Sequence, residues 1–296
     1  MKALLEKITH IIPDKLYTAI RWRMRMGYWI DFKNPVSFNE KIQWLKLNDH
    51  KDIYPQLVDK YRVRSYIKDT IGEEYLIPLL GAYDSYDEID FDALPDQFVL
   101  KCNHDSGGLV ICRDKQALDH EKAKEKITAS LKRNYYWHTR EWAYKKVQPK
   151  IIAEKYVTDG AVSAEGNTDL VDYKFFCFGG KPKFLNISKG LENHKTALMT
   201  FVDLKGEKMP FDRSDYKKME GKIDLPENFD EMCSLAEKIA QNLDIPFIRV
   251  DLYSIEGKTF FSELTLYPCA GMIPIEPKEW DIKMGSWIDL SKVKGK

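Results

Sequence analysis

The stretch RVDLYSIEGKTFFSELT, Arg249 to Thr265, constrains the fold of this chain more than any other. It reads as two short strands joined by a turn at Glu256-Gly257. Alternate side chains of a strand share a face, so Ile248, Val250 and Leu252 point one way and Arg249 and Asp251 the other. On the return strand Glu263 and Thr265 share a face, and a short turn brings Asp251 within one position of lying opposite Glu263. One face thus carries an arginine, two carboxylates and a hydroxyl among strongly apolar neighbours. A solvated face with cross-strand ion pairs is one account of it. A hard-oxygen site is the other: Mg²⁺ takes one or two carboxylates and leaves its remaining positions to water and phosphate. Arg249 on that face is placed to hold a carboxylate or to stabilise an oxyanion.

Bulk properties narrow the setting. At 296 residues the chain can bury a full core in one large domain or two lobes. Lys plus Arg and Asp plus Glu are 46 each, so no global field points to nucleic acid, and any anion site is local. The five cysteines are scattered without a C-x-x-C, which argues against a disulfide framework or structural zinc and fits a reducing, cytosolic setting. No apolar run approaches the roughly 18 residues of a membrane span, and MKALLEKITHIIPDK lacks the features of a secretory signal. RWRMRM, Arg21 to Met26, interleaves Arg with Trp and Met; it reads as a helix face packed on the body, or as weak attachment to a membrane surface.

The order of elements predicts an α+β protein with much antiparallel sheet, not a repeating βαβ fold. Residues 1–58 read as helical, with Ser37 and Glu40 forming a cap before IQWLKL. DKYRVRSYIKDTIG is a helix ended by Gly72, and FVLKCNHDSGGLVIC is strand, Gly-rich turn, strand. IIAEKYV is a strand, DYKFFCFGGKPKFLNIS is a hairpin turning at Gly179-Gly180, and PENFDEMCSLAEKIAQNLD is an amphipathic helix.

Both the P-loop and the dinucleotide glycine signatures are missing. KCNHDSGGLV offers Lys101 at a strand end and a small turn over Ser106, Gly107 and Gly108, whose amides can wrap a phosphate; an ordinary hairpin turn has the same composition. The strand leaving at Glu154-Lys155-Tyr156-Val157 supplies the apolar slot and main-chain groups that an adenine needs. Lys174 sits inside a strand, where a lysine needs an anion or a route to solvent. DFD, Asp90 to Asp92, has the Asp-x-Asp pattern of metal-dependent glycosyltransferases but reads as a solvated loop, and His138 reads as a packing histidine. Arg140 and Glu141 in HTREWAY are further candidates to face an acceptor substrate.

Taken in order, FNEKIQWLKL, DKYRVRSYI with YLIPLLGAY, FVLKCNHDSGG, PKIIAEKYV, DYKFFCFGGKPKF and RVDLYSIEGKTFFSELTLYP resemble the ATP-grasp superfamily. The similarity is to its TupA-like branch, associated with teichuronopeptide and other surface-polysaccharide synthesis. The resemblance implies two lobes with largely antiparallel sheets enclosing ATP: a helical region over 1–58, an N-terminal lobe over 59–157 and a C-terminal lobe over 158–296. It implies that Lys60 and Lys101 contact nucleotide phosphates, that Ser106, Gly107 and Gly108 form the phosphate loop, and that Glu154, Lys155, Tyr156 and Val157 form the adenine strand exit. Lys174 resembles the basic residue that reaches the phosphates from the second lobe, and Asp251 and Glu263 resemble the magnesium carboxylates. Two residues after its glutamate the superfamily usually has asparagine; here it is Thr265, a poorer ligand, and Asp159 is the candidate ribose residue.

The function so implied is an ATP- and Mg²⁺-dependent carboxylate–amine ligase. It would join an amino acid or similar amine to a carboxylated sugar or polymer, with Arg249 and Lys174 in catalytic roles. The alternatives are an ATP-dependent kinase on the same fold, or a polysaccharide-assembly glycosyltransferase or scaffold without ATP turnover.

Overall fold

Both hairpins form where the chain indicates. The computed structural model describes residues 9–105, 107–159, 170–191 and 195–293, so Ser106 lies outside the described residues. Strands β1 (Leu79–Tyr83), β2 (Phe98–Cys102), β3 (Leu109–Cys112) and β4 (Ile151–Lys155) make one antiparallel sheet in the order β1-β4-β2-β3. Strands β5 (Asp172–Phe178), β6 (Lys181–Lys189), β7 (Leu198–Asp203), β9 (Phe247–Ile255) and β10 (Lys258–Thr265) make a second, in the order β10-β9-β5-β6-β7, again antiparallel. The short β8 (Asp212–Arg213) pairs with β11 (Ile275–Glu276). The turn between β9 and β10 has positive φ at Glu256 and Gly257, 50° and 74°, the left-handed pair that a two-residue hairpin of matching twist requires.

The helices are α1 (Asp14–Met26), α2 (Phe38–Asn48), α3 (Tyr54–Leu57), α4 (Val63–Thr70), α5 (His120–Leu131), α6 (Tyr135–Thr139), α7 (Phe229–Gln241) and α8 (Lys278–Ser286). Ser37 accepts from the Glu40 amide while the Glu40 carboxylate accepts from the Ser37 amide, so the expected cap of α2 is a reciprocal box. The expected DKYRVRSYIKDT helix is α4, and Gly72 follows its end with φ 126°.

The second sheet has two unlike faces, and this positions the site. On one, Phe175, Val250 and Leu252 are buried beneath Met232, Ala236 and Ile239 of α7. The other face is divided. At one end Phe176, Phe178 and Phe247 meet the ring of Phe38 from α2, with centroids 5.0 to 6.4 Å apart. At the other end the same face carries Lys174, Arg249 and Asp251 in place of rings. The first sheet holds a separate core of Phe98, Leu100, Ile151 and Ala153 beneath Ala123 and Ile127 of α5.

Three sequence expectations meet their physical context here. Asp90 accepts from the amides of Asp92 and Ala93, so DFD is an exposed Asx-type turn. His138 is exposed on α6, so its side chain is not the packing histidine expected; it is its carbonyl that accepts from the Tyr17 hydroxyl, at 3.0 Å. Arg140 and Glu141, however, do not face a substrate cleft. Arg140 is 1% exposed, sits 3.0 Å from Asp14 and stacks over Tyr17 and Trp137, fastening α1 to the body. Glu141 is buried against the charge of Lys46; burial raises the carboxyl pKa and lowers that of the lysine, and each partner opposes the other's shift.

Candidate active site

The hairpin that opens the sequence argument closes with a shifted register. Lys258 lies opposite Ile255 and Phe261 opposite Leu252, but beyond Phe261 the pairing slips, and Glu263 lies opposite Asp251 and Thr265 opposite Arg249. Ser262 is the extra residue, a β-bulge. Without it Ser262 would oppose Asp251 and Glu263 would oppose Val250. A one-residue slip turns every later side chain over, so Glu263 would then point at the core under α7. The bulge puts Arg249, Asp251, Glu263 and Thr265 on one face. The adjacent β5 adds Lys174 directly opposite Asp251, and Asp172 on the same face two residues before it.

These side chains form one network of three cations and three carboxylates. The Arg249 guanidinium donates to Asp251 through Nε at 2.7 Å and NH2 at 2.5 Å, and NH2 also reaches Glu263 Oε1 at 3.2 Å. Lys174 Nζ lies 2.7 Å from Asp172 and 3.2 Å from Asp251. Lys60 Nζ, arriving from the other sheet's side, is 3.5 Å from Glu263 Oε2. The Thr265 hydroxyl donates to Glu263 Oε1 at 3.5 Å. Burial works to raise the Glu263 pKa, yet Lys60, Arg249 and Lys174 outweigh it and hold the carboxyl down to about 2. Burial raises Asp172 against the pull of Lys174, while Lys174 itself is raised by Asp172 and Asp251 in spite of burial.

A pH dependence follows. The ordinary value of 4.5 applies to Glu263 in the unfolded chain and about 2 in the folded one, so its ionisation stabilises the fold above 4.5, and this is lost as pH falls towards 2. The stability difference between wild type and Glu263→Gln, read from urea midpoints, is expected to shrink over that window. A difference that stays constant across it would contradict the assigned environment.

A cavity of about 340 Å³ lies between the two sheets. Val99, Lys101 and Glu154 line it from the first sheet, and Lys174, Tyr253 and Glu263 from the second. Lys101 Nζ is 2.7 Å from Glu154, whose other oxygen is 3.2 Å from Arg64. Lys155, Tyr156 and Val157 line the end where β4 leaves the sheet, and the Lys155 amide donates to the Pro78 carbonyl. Asp251, Arg249 and Thr265 are not among the lining residues; Asp251 is fully buried behind them. Asp159 is outside the lining too, near Tyr173.

The Gly-rich turn is held by its own carboxylate. Asp105 Oδ1 accepts from the amides of Gly107 at 3.3 Å and Gly108 at 2.9 Å, while Oδ2 meets the Ser130 hydroxyl and, at 3.0 Å, Arg133. The Lys60 ammonium donates to the Asp105 carbonyl at 2.8 Å. Gly108 lines the cavity and Gly107 is exposed on the turn. A Cβ on Gly108 would lie 2.4 Å from Ser130 Oγ and 2.6 Å from Cys102 Sγ, both on buried residues. Gly108→Ala is expected to cost about 1–3 kcal/mol of stability by overpacking, measured by urea unfolding; an unchanged midpoint would refute the close approach.

Of the sequence candidates, Lys60, Lys101, Gly108, Glu154 and Lys174 meet around the cavity with Glu263 and the strand exit. The pattern argument passes over Asp172, Tyr253 and Ser262, all of which line the cavity. Alternation in DYK and in DLY marks the first two, since each shares a face with a residue already singled out. Among the described residues no group of three or more His, Cys, Asp or Glu is arranged to hold a metal, so Asp251 and Glu263 stand as a pair.

No curated protein matches the chain. Among solved structures, D-alanine–D-alanine ligase from Bacillus anthracis is 17% identical with a TM-score of 0.42, over 86% of this chain and 72% of that one. L-amino acid ligase from Bacillus licheniformis is 12% identical with a TM-score of 0.44, over 79% of this chain and 49% of its own length. The ATP-grasp ligase PsnB, solved with a phosphomimetic variant of its minimal precursor, Mg and ADP, is 9% identical with a TM-score of 0.45, over 86% and 66%. A TupA-like ATP-grasp family model matches residues 40–289, which include both sheets, the bulged hairpin and every residue of the charged network. This chain belongs to the TupA-like ATP-grasp family.

Proposed function

We propose that the protein is an ATP- and Mg²⁺-dependent carboxylate–amine ligase. Its substrates on this reading are an amino acid or similar amine and a carboxylated sugar or polymer of surface-polysaccharide synthesis. The observation that carries the reading is the pairing of Asp251 with Glu263 across the bulge, beside a cleft that Lys60, Lys101 and Lys174 enter from two sheets. Both carboxylates already share one cation, since Arg249 NH2 lies 2.5 Å from Asp251 and 3.2 Å from Glu263. Two oxygens converging on one positive centre suit Mg²⁺, with Thr265 as an accessory neutral oxygen. Bound there, Mg²⁺ would supply charge neutralisation at the phosphates.

The chain's own residues would do the rest. Val99, Tyr156 and Val157 offer the apolar slot for adenine, with the Lys155 and Val157 main chain beside it. Lys60, Lys101 and Lys174 would offset phosphate charge, and the amides of Gly107 and Gly108, which follow Ser106, would turn from Asp105 to phosphate oxygens. A substrate carboxylate oxygen attacks the γ-phosphorus, and the bond to ADP breaks. The amine nitrogen then attacks the acyl carbon, phosphate leaves with the bond it held, and the amine's proton passes to phosphate or water. Arg249, behind the residues that line the cavity, would stabilise the oxyanion of that second step. Closure of the 104–108 turn would keep water from the acylphosphate. No side chain needs to act as a nucleophile. All five cysteines are free, in accord with a cytoplasmic enzyme.

Incubation with ATP, Mg²⁺ and panels of amino acids and uronic acids tests this. The expected result is phosphate release that depends on both acceptors, with an amide in the product mass. A phosphorylated product without an amide would overturn the ligase reading in favour of a kinase.

A further inference from the structure

Among the described residues eight large hydrophobic side chains stand exposed, and six of them fall between positions 11 and 36. On α1, Leu16, Ile20 and Met24 recur every four residues and so form one stripe along the helix, with Met24 76% exposed. Ile11 before the helix, 82% exposed, and Trp29 after it, 63% exposed, extend the apolar area at both ends. Single exposed apolar residues are ordinary, but a run of this kind on one element marks a contact surface.

The helix is not loose on the body. Its opposite side buries Thr18 and Trp22, Tyr17 is buried at the edge of the stripe, and Asp14 is gripped by Arg140 and by the Tyr136 hydroxyl. The outward stripe is therefore held in place with nothing in the chain's described residues over it. Arg21 and Arg23 flank the stripe, and Lys15 and Arg25 add to the charge elsewhere on the helix, against the single acid of α1, Asp14, which is already paired. In a chain whose total charge is zero this is a local positive field. A second copy of the chain meeting this face about a two-fold axis would bring the same cations together. An anionic bilayer complements both parts, apolar chains beneath the stripe and acidic headgroups beside the cations.

We infer that α1, with Ile11 and Trp29, is a docking surface that lays the protein on an anionic membrane face. The helix lies in the interface plane and does not enter further; among the described residues no helix is long and apolar enough to cross a membrane. The contact needs neither ATP nor either ligase substrate, so it stands or falls apart from the proposed reaction.

Co-sedimentation of the full chain with vesicles of phosphatidylcholine alone, and of phosphatidylcholine with phosphatidylglycerol, tests it at low and high salt. Binding is expected only with the anionic lipid, weakening with salt. The triple variant Leu16→Ser, Ile20→Ser, Met24→Ser is expected to lower partitioning about tenfold or more, and the double variant Arg23→Gln, Arg25→Gln about tenfold. All five side chains are exposed and outside the cleft, so far-UV circular dichroism should match wild type; should the triple variant misfold, the charge variant and the salt series decide. Equal binding by wild type and variants, equal binding to neutral vesicles, or no binding at all would overturn the inference. So would a triple variant that turns an oligomer into a monomer in light scattering while wild type ignores vesicles.

Discussion

Glu263→Gln is expected to lower substrate-dependent phosphate release by about 10³-fold or more. A bound divalent cation contributes several kcal/mol of charge stabilisation, and each ~1.4 kcal/mol is a tenfold change in rate. Glutamine keeps the volume and the bulged backbone but removes the charge that Lys60, Arg249 and Lys174 hold ionised. The loss should therefore appear in turnover and in the Mg²⁺ requirement, with the fold intact. Single-turnover phosphate release at saturating ATP measures it. A variant within a few-fold of wild type would remove Glu263 from the reaction and leave the charged network a structural one.

Arg249→Lys is expected to lower kcat about 10²-fold while KM for ATP changes little. The guanidinium grips Asp251 through two nitrogens, at 2.7 and 2.5 Å, and the second of them also reaches Glu263 at 3.2 Å. A lysine is a single point charge on a flexible stem and cannot reproduce that fork. If Arg249 acts on the oxyanion of amide formation, the loss falls on a transition-state interaction and so on kcat. Measuring both constants separates the cases: a raised KM with kcat unchanged would assign Arg249 to ground-state binding instead.

Local signals made much of this legible in the chain. The cap at Ser37, the turns at Gly179-Gly180 and Glu256-Gly257, and the helix of residues 229–241 each depend on residues within a few positions of one another, and each forms as expected. The bulge at Ser262 is different. Nothing in FFSEL distinguishes it; it is fixed by what the two faces of the sheet must hold, apolar residues under α7 and carboxylates over the cleft. Strand β7, LMTFVD, is buried at four of its six positions and so lacks the alternation that marks a half-exposed strand. Helix α8 buries only Asp281, Met284 and Gly285, too weak an apolar stripe to read. Arg140 and Glu141 look like surface charges because their partners, Asp14 and Lys46, are far away in sequence. The Asp105 carboxylate on the Gly107 and Gly108 amides shows the converse: a short-range bond of a kind the Asp-Ser-Gly-Gly sequence favours, in competition with any incoming phosphate.

The charged face of the hairpin is, on this account, one wall of a nucleotide site closed by the opposite sheet. A thermal-shift titration with ATP, with and without Mg²⁺, tests that most directly. Ligand at about 100 times its dissociation constant stabilises the native state by about 2.7 kcal/mol, worth several degrees at this size. The account predicts a shift of that order with ATP and Mg²⁺ together and a much smaller one with either alone. No shift with any nucleotide, in either condition, would contradict it.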